Sequence, residues 1–395
     1  MGKLDVLQKC FDFTRANELR NLNWYPYFNR VETAQGPEVI VDGAKKIVVC
    51  SNNYLGLANH PKVVEASMAA AKKYGTSGTG SRLLNGTTDL HYKVEKKFAD
   101  FVGKEDAILF TTGHHSNLGA LQSLVGKGEM FICDKLDHAS IIDGCRLSFG
   151  EMVRFRHNDM DDLERQLKRY EDKAKLIVVD GIFSMEGDIA KLPEISKLAK
   201  KYECRIFVDE AHSLGVLGEN GRGTGEYFNM TEDIDVLMAT ASKSLASVGG
   251  FIAGKKEVID YIKSVARSLI FTASLPPSSV GAIDAALDII KEEPQRRIRL
   301  LETAQKMLSE FKRLGFKTTK SQSPIIPLIV GSDETAFKMW RMLFDAGVFA
   351  SPVITPAVPE GQAIIRTSYI ASHTDEQLNF ILEKFEKIGK ELGII

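Results

Sequence analysis

The sequence has few of the features that mark secreted, membrane or nucleic-acid-binding proteins. Its five cysteines are odd in number and widely spaced, without a CxxC pair, which argues against a disulfide framework and the common zinc spacings. Lys and Arg number 51 against 52 Asp and Glu, so no net field would gather nucleic acid or an anionic membrane. No run approaches the roughly 18 apolar residues of a membrane span, and the charged start MGKLDVLQKCFDFTRANELR is unlike a signal peptide. These absences predict a cytoplasmic protein without an integral membrane segment, and leave peripheral membrane contact open.

The composition predicts a globular protein with more than one lobe. Hydrophobic residues make up 44% and charged residues 26% of the 395, enough to bury a core in a chain too long for a single one. We expect an N-terminal helix and small-lobe segment (1–50), a large domain (51–285) and a smaller C-terminal α/β domain (286–395).

Short apolar runs alternate with segments of helical periodicity through the middle of the chain. The runs at 107–110, 130–133, 175–180, 205–209, 235–239 and 249–254 predict buried strands, and the segments at 115–125, 161–171 and 192–203 predict helices between them. Such alternation is typical of a mostly parallel sheet covered by helices, whose ligands bind beyond the carboxyl ends of the strands. The C-terminal part predicts a long helix (293–315), strands in IIPLIV and AIIRTSY, and a last helix from about 374.

Lys243 is the strongest candidate for a reactive group. It lies in TASKS, directly after the strand at 235–239, among small hydroxyl residues that suit a phosphate. Most lysines are solvated surface charges, but the surroundings of this one give it little apolar surface to pack against. A lysine whose pKa is lowered by its surroundings is the nucleophile that a Schiff base needs.

Polar residues follow two other predicted strands. Asp209 ends RIFVD and is followed by His212, and a carboxylate at that position needs a cationic partner; the alternative is that Asp209 only caps a turn. Gly113 and His114 open a helix after the first strand, where free N–H groups suit a phosphate, although an ordinary capped turn has the same pattern. The neighbouring His114 and His115 do not face one another on a helix, which argues against a metal.

The remaining candidates are single residues with structural alternatives. His138 follows the strand at 130–133 and could stack on a planar ligand or serve as a polar loop residue. Asn53, Tyr54 and Arg366 could bind an amino-acid carboxylate, which a guanidinium pairs with bidentately, although a lone arginine is more often in a surface ion pair. The glycine-rich stretch 75–87 does not match GxGxxG and has no strand before it, which argues against a dinucleotide site.

Taken together, these segments resemble the α-oxoamine synthase family of fold-type I pyridoxal 5′-phosphate (PLP) enzymes. The likeness covers nearly the whole chain, through the motifs SNNYLGL, GSRLLNGTTDLH, DHASIIDG, DGIFSMEGDIA, VDEAHSLG, TASKS and IRTSYIASHT. Two departures are His114, where the family usually has an aromatic residue, and Ala241, where a bulkier apolar residue is common. The resemblance implies an α/β fold of type I with a mostly parallel central sheet.

The resemblance also implies roles for individual residues. Lys243 would bind PLP covalently, Asp209 would pair with its ring nitrogen and His138 would stack on its ring, which makes these three the expected catalytic residues. The other cofactor-binding residues would be Gly113, His114, Ser184, His212, Thr240 and Ser242, with Thr272 contributed by a neighbouring subunit. The substrate-binding residues would be Asn53, Tyr54, Ser81 and Arg366. No metal is expected, and a homodimer with shared active sites is implied.

The implied reaction joins an amino acid to an acyl thioester with loss of CO2. Within the family, the motifs of this chain are most similar to those of members that use L-serine and a long-chain acyl-CoA, palmitoyl-CoA, with 3-ketodihydrosphingosine as the product. Family members that use glycine or alanine have similar motifs, and neither the acyl-chain length nor the choice between coenzyme A and an acyl carrier protein follows from the sequence. A non-catalytic subunit of the same fold could dispense with the lysine, so the presence of Lys243 and Asp209 argues against that alternative.

Overall fold

A computed structural model describes residues 5–395. Its helices are α1 (Gln8–Phe11), α2 (Arg15–Asn21), α3 (Pro61–Tyr74), α4 (Asp89–Val102), α5 (Gly113–Leu124), α6 (Ala139–Leu147), α7 (Met160–Arg169), α8 (Leu192–Lys201), α9 (Thr224–Tyr227), α10 (Lys256–Val265), α11 (Arg267–Ile270), α12 (Pro277–Glu292), α13 (Gln295–Leu314), α14 (Asp333–Asp345) and α15 (Asp375–Glu391), with one 3-10 turn at Thr231–Asp233. Within these described residues, none of the helices is long and apolar enough to cross a membrane.

The strands form three sheets. They are β1 (Glu38–Val41), β2 (Ala44–Val48), β3 (Asp106–Phe110), β4 (Met130–Asp134), β5 (Glu151–Phe155), β6 (Lys175–Asp180), β7 (Arg205–Asp209), β8 (Val236–Thr240), β9 (Gly250–Gly254), β10 (Lys317–Thr318), β11 (Ile325–Gly331), β12 (Val348–Phe349), β13 (Ser351–Val353) and β14 (Ala363–Ser368). The central seven-stranded sheet has the order β3-β9-β8-β7-β6-β4-β5.

The central sheet is mostly parallel, as predicted. Only β9 runs antiparallel to its neighbours β3 and β8. Strands β4, β6 and β8 are buried along their whole length, since helices cover both faces of the sheet and continuous apolar runs are therefore stable there. The predicted strands and helices of this region are all present, and the sheet also contains β5, which the sequence pattern did not indicate.

The polar ends of the central strands lie at one edge of the sheet. Strands β6 and β7 pair in parallel with Asp180 opposite Asp209, and Thr240 ends the next strand, β8. Each of these residues is the last one of an apolar strand, so the parallel pairing of the strands places all three at the same edge of the sheet. This edge is where ligands bind in parallel α/β sheets.

Two small sheets lie outside the central one. Strands β10, β11, β14 and β13 form an antiparallel sheet, and in the third sheet β2 lies between β1, its antiparallel neighbour, and β12 from the C-terminal part. The predicted boundary at 285/286 falls inside α12, a continuous helix, whereas residues 293–294 separate α12 from α13. The three-part division therefore stays a prediction, and residues 1–4 of its first part lie outside the described residues.

Candidate active site

A cavity of about 270 Å³ opens at the carboxyl ends of β6, β7 and β8. It adjoins a larger cavity of about 590 Å³, with which it shares Ser242, Lys243 and Val248. The predicted residues that line the smaller cavity are Gly113, His114, His138, Asp209, His212, Thr240, Ser242 and Lys243. Residues that lie up to 130 positions apart in the sequence therefore surround one space, with the lysine between the two cavities.

Lys243 lies in the turn that follows β8. Burial lowers the pKa of its amine to about 8, although the nearby carboxylates of Asp209 and Asp180 act in the opposite direction and Arg366 adds to the lowering. A larger fraction of this amine than of an ordinary lysine is therefore uncharged near neutral pH. The turn thus provides a nucleophile that can also accept a proton.

Asp209 is held by a chain of hydrogen bonds that reaches His138. Its carboxylate accepts from Asn117 Nδ2 at 2.7 Å and from the backbone N–H of Ala211 at 2.9 Å. The same Asn117 amide donates to Ser140 Oγ at 2.8 Å, and Ser140 Oγ lies 2.7 Å from Nδ1 of His138. Asp209 is 3% exposed, so these bonds compensate for burying its charge and fix its direction.

Asp180 is a site residue that the sequence reasoning missed. It ends β6 as Asp209 ends β7, lines the same cavity and accepts a hydrogen bond of 3.0 Å from the backbone N–H of His138. Burial, together with the negative charge of Asp209, raises the pKa of Asp180 well above its usual value. An aspartate that closes an apolar strand was the signal that could have identified it, since the same signal identified Asp209.

The start of α5 forms a small anion site against β8. Thr112 caps the helix by accepting a hydrogen bond from the N–H of His115 at 3.1 Å, and the N–H groups of Gly113 and His114 before it have no partner within the helix. A Cβ at Gly113 would lie 2.6 Å from Thr240 Oγ1, so only glycine permits this approach of the helix to the strand. Thr240 Oγ1 lies 2.9 Å from Ser242 Oγ, which adds two hydroxyl groups to the free N–H groups.

A second polar cluster links the large and small sheets. Tyr54 Oη and His212 Nδ1 are 2.6 Å apart, and burial lowers the pKa of His212 well below its usual value, with Lys243 and Arg366 adding to the effect. Arg366, on β14, donates from Nε to the carbonyl of Ser184 at 2.8 Å and from Nη2 to Asn52 Oδ1 at 3.2 Å. Asn52 was not predicted as a site residue, although it stands next to Asn53 in SNNYLGL.

Several predicted residues lie elsewhere. Ser81, Ser184 and Thr272 are not among the residues of the described chain that line the 270 Å³ cavity, and Ser81 pairs with Ala273 in an isolated bridge. Asn53 lines the larger cavity with Lys243. Ser81 and Thr272 therefore lie on two loops that contact each other, and neither residue lines the 270 Å³ cavity of its own chain.

Residues 5–395 contain no group of three or more His, Cys, Asp or Glu side chains arranged to hold a metal.

His157 lies between two aspartates, Asp134 at the end of β4 and Asp188 in the loop that carries Ser184. Its Nδ1 lies 3.0 Å from Asp134 and its Nε2 lies 3.0 Å from Asp188, and its ring packs edge-on against Phe183. Burial alone would lower the pKa of His157, but the hydrogen bonds to the two carboxylates raise it to about 10. The charged imidazole therefore ties the end of β4 to the loop that carries Ser184.

This cluster predicts a pH-dependent loss of stability in His157→Gln. The folded-state pKa is raised above the unfolded value of about 6.5, so the stabilisation is fully present below pH 6.5 and is lost as the pH rises through about 10. We expect the variant to lose about 2 kcal/mol of unfolding free energy at pH 6, the usual contribution of hydrogen bonds to charged groups. Urea denaturation of both proteins at pH 6, 8 and 10.5 measures the difference. A loss of equal size at all three values would show that the ion cluster is not its source.

Comparison with known proteins identifies the family of the chain. The aminotransferase class I and II family matches residues 44–385, and the chain belongs to this family. It is 45% identical over 395 residues to a serine palmitoyltransferase of Sphingobacterium spiritivorum, covering 100% of this chain and 99% of the relative. It is 44% identical over 383 residues to an 8-amino-7-oxononanoate synthase of Thermoanaerobacter pseudethanolicus, covering 96% of this chain and 97% of the relative.

A solved structure shows the same likeness over the whole fold. A lysine-to-alanine variant of serine palmitoyltransferase from S. paucimobilis with a bound PLP–myriocin aldimine superposes with a TM-score of 0.96 at 37% identity, covering 99% of this chain and 100% of that chain. Within the wider family, these relatives place the chain among the α-oxoamine synthases. The resemblance that the sequence motifs indicated is confirmed, as is the expected fold of type I.

Proposed function

We propose that this chain is a PLP-dependent acyltransferase that condenses L-serine with a long-chain acyl-CoA, palmitoyl-CoA, to give 3-ketodihydrosphingosine, coenzyme A and CO2. The observation that carries the proposal is the position of Lys243, whose amine with a lowered pKa lies between the two cavities and near two buried carboxylates. The choice of substrates rests on the full-length likeness to serine palmitoyltransferases.

The donor set around the smaller cavity fits PLP. Lys243 would hold its aldehyde carbon, and the cradle of Gly113, His114, Thr240 and Ser242 would hold its phosphate, since that cradle combines a helix start with two hydroxyl groups. Asp209, held in a fixed direction by Asn117, would face the ring nitrogen. The steric limit at Gly113 supports this assignment, because any Cβ there would fill the space of the cradle.

When bound, PLP supplies an electron-withdrawing ring that stabilises negative charge on the Cα of the amino acid. The charge of Asp209 keeps a proton on the ring nitrogen, and burial strengthens this interaction because little water competes with it. His138, whose Nδ1 is fixed by Ser140, would lie against the ring. His212 and Ser184 are assigned to the side of the ring oxygen, where neutral His212 can hydrogen-bond without adding charge.

Lys243 moves the proton at Cα. Released from the cofactor by the amino acid, Nζ would be a free amine, and the burial that lowers its pKa would suit it to act as a general base near neutral pH. The same Nζ returns the proton after the acyl group has been joined to Cα and CO2 has left. The carboxylate that is lost would be bound until then by Arg366, with Asn53, Tyr54 and Ser81 as the other proposed substrate contacts.

Arg366 leads to a prediction about substrate affinity. The two hydrogen bonds to Ser184 and Asn52 use two of its five N–H donors, so others can pair with a carboxylate. In Arg366→Lys the bidentate geometry is lost, and we expect the KM for the amino acid to rise about 10- to 100-fold with the KM for acyl-CoA unchanged. Steady-state kinetics with each substrate varied in turn measure this.

The matched control is Arg154→Lys, which changes an exposed arginine on β5 of the central sheet. An equal rise of both KM values in Arg366→Lys, or the same change in the control, would contradict a role in carboxylate binding.

A product assay tests the proposed function itself. The purified PLP-loaded protein is incubated with L-serine, L-alanine or glycine and with acyl thioesters of two chain lengths, and the product masses are identified. The proposal requires the long-chain serine product. The 44% identity to an 8-amino-7-oxononanoate synthase favours alanine as the second candidate, so a product from alanine alone would replace the serine assignment. Coenzyme A and acyl carrier protein thioesters in parallel reactions distinguish the two donors.

We also propose a cytoplasmic homodimer with shared active sites. Thr272 and Ser81 lie outside the cavity of their own chain, and beside them the side chains of Leu84 and Phe271 are 78% and 73% exposed. Large exposed apolar residues at one place are typical of a protein interface. A second copy that covers them would bring Thr272 toward the phosphate cradle of its neighbour.

A further inference from the structure

Helix α3 exposes apolar side chains beside the active site. Val64 is 40% and Met68 is 67% exposed, and their spacing of four residues puts them on one face of the helix. The residues that α3 buries are Val63 and Ala70. Apolar side chains grouped on an exposed face beside a catalytic cavity indicate a binding surface.

This face is continuous with the space around Lys243. The cavity of about 590 Å³ is lined by Lys243, Asn53 and Val248 and also by Val64 and Met68. Val64 and Met68 also line an outer cavity of about 840 Å³ along α3. The two cavities therefore form one groove, which we call the α3 groove, leading from the amine of Lys243 to the outside of the protein.

The length of the α3 groove can be compared with that of a fatty acyl chain. Its outer part follows α3 from Pro61 to Lys72, which is about 16 Å at 1.5 Å per residue. The hydrocarbon core of a bilayer is about 30 Å thick and contains two leaflets, so one long acyl chain spans about 15 Å. The outer part is therefore long enough for the distal methylene groups of a long chain whose thioester end lies in the inner cavity.

The charges of the α3 groove favour a neutral occupant. Its outer part has one acidic and one basic residue, Glu65 and Lys72, beside Pro61, Val64 and Met68. With no excess of positive charge, this surface offers nothing to attract the phosphates of coenzyme A. Its apolar residues are suited to methylene groups.

We propose that the α3 groove binds the acyl chain of the thioester substrate and that Val64 and Met68 determine which chain lengths are accepted. The inference rests on the proposed function and names the part of the protein that would recognise the fatty chain. The thioester carbonyl would lie near Lys243, and the chain would pass between Val64 and Met68 onto the outer face of α3.

Kinetics with Met68→Trp test the proposal. The indole would obstruct the groove at the junction of its two parts, so we expect the KM for palmitoyl-CoA to rise at least about tenfold, since each buried methylene contributes about fourfold in affinity. Octanoyl-CoA, whose shorter chain would make fewer contacts with the outer part of the groove, should be affected less than about twofold. The matched control is Ile298→Trp, because Ile298 is a 54% exposed apolar residue on α13.

A labelling experiment on the wild-type holoenzyme does not depend on turnover. A non-reactive thioether analogue of palmitoyl-CoA with a diazirine at the end of its chain is photolysed on the protein, and tryptic peptides are analysed by mass spectrometry. Label on the 63–72 peptide that palmitoyl-CoA competes away is the expected result. If the enzyme forms the long-chain serine product while the label lies elsewhere and Met68→Trp leaves chain-length preference unchanged, the groove assignment is wrong and the function stands. Competable label on the 63–72 peptide without product from any amino acid would support the groove and overturn the proposed function.

Discussion

Replacing Lys243 with alanine is expected to lower kcat by about 10³-fold or more. The amine would hold the cofactor and also move the proton at Cα, and acid–base catalysis alone contributes about 10²- to 10⁴-fold. The substitution should also abolish the visible absorbance of the cofactor–lysine imine, while PLP held by the phosphate cradle stays bound. Turnover of L-serine with palmitoyl-CoA and an absorbance spectrum measure the two effects.

Lys135→Ala is the matched control, because Lys135 follows β4 as Lys243 follows β8 but is exposed. We expect it to retain the activity and the spectrum of the wild type. Turnover by Lys243→Ala within tenfold of the wild type would refute the assignment of this amine, and with it the proposed mechanism.

The lowered pKa of Lys243 has its own consequence for cofactor attachment. The uncharged amine is the form that reacts, and its fraction rises as the pH increases through about 8. In protein stripped of PLP, the rate of imine formation should therefore increase between pH 7 and 9 and level off above that range. A midpoint near the ordinary lysine value of about 10.4 would mean that burial does not act on this amine as the structure indicates.

The residues that react could be predicted from the sequence better than the residues that hold them. Lys243 and Asp209 each follow an apolar run, so the pattern of strands placed them at the ligand-binding edge of the sheet. Asn117 and Ser140 were not predicted as site residues, because their importance comes from the hydrogen bond between them and from the one that Asn117 donates to Asp209, 92 positions away. Such contacts depend on the packing of α5 and α6 on the sheet, which no local pattern shows.

The strands, too, were predicted where the local sequence determines them and missed where long-range contacts do. Strands such as β8 are apolar throughout because both faces are covered, and they were all found. Strand β5, at the edge of the sheet, contains the exposed Glu151 and Arg154, so its sequence lacks a continuous apolar run. The antiparallel direction of β9 was also not predicted, since the direction of a strand depends on the path of the connections and not on its composition.

Replacing Asp209 with asparagine is expected to lower kcat by about 10²- to 10³-fold, because the ring nitrogen of PLP would lose the charge that keeps it protonated and would withdraw electrons less effectively. Asparagine has nearly the same shape, but its amide oxygen can replace only one of the two carboxylate oxygens, which accept from Asn117 at 2.7 Å and from the N–H of Ala211 at 2.9 Å. The donor left unpaired should cost about 1 to 3 kcal/mol of unfolding free energy, which leaves the fold intact, so the main loss should appear in kcat.

The same substitution should alter the charges of its neighbours in a defined direction. Asp209 raises the pKa of both Lys243 and Asp180, so without its charge both values should fall, and the imine-formation midpoint of the stripped protein should lie below that of the wild type. Asp106→Asn is the control, since Asp106 begins β3 at the opposite edge of the sheet and pairs with Lys263. A large loss of kcat without this shift would mean that Asp209 acts on the cofactor without acting on the lysine. A shift with kcat retained would mean that the ring nitrogen does not depend on this carboxylate, and the proton that activates Cα chemistry would have to be held by another group.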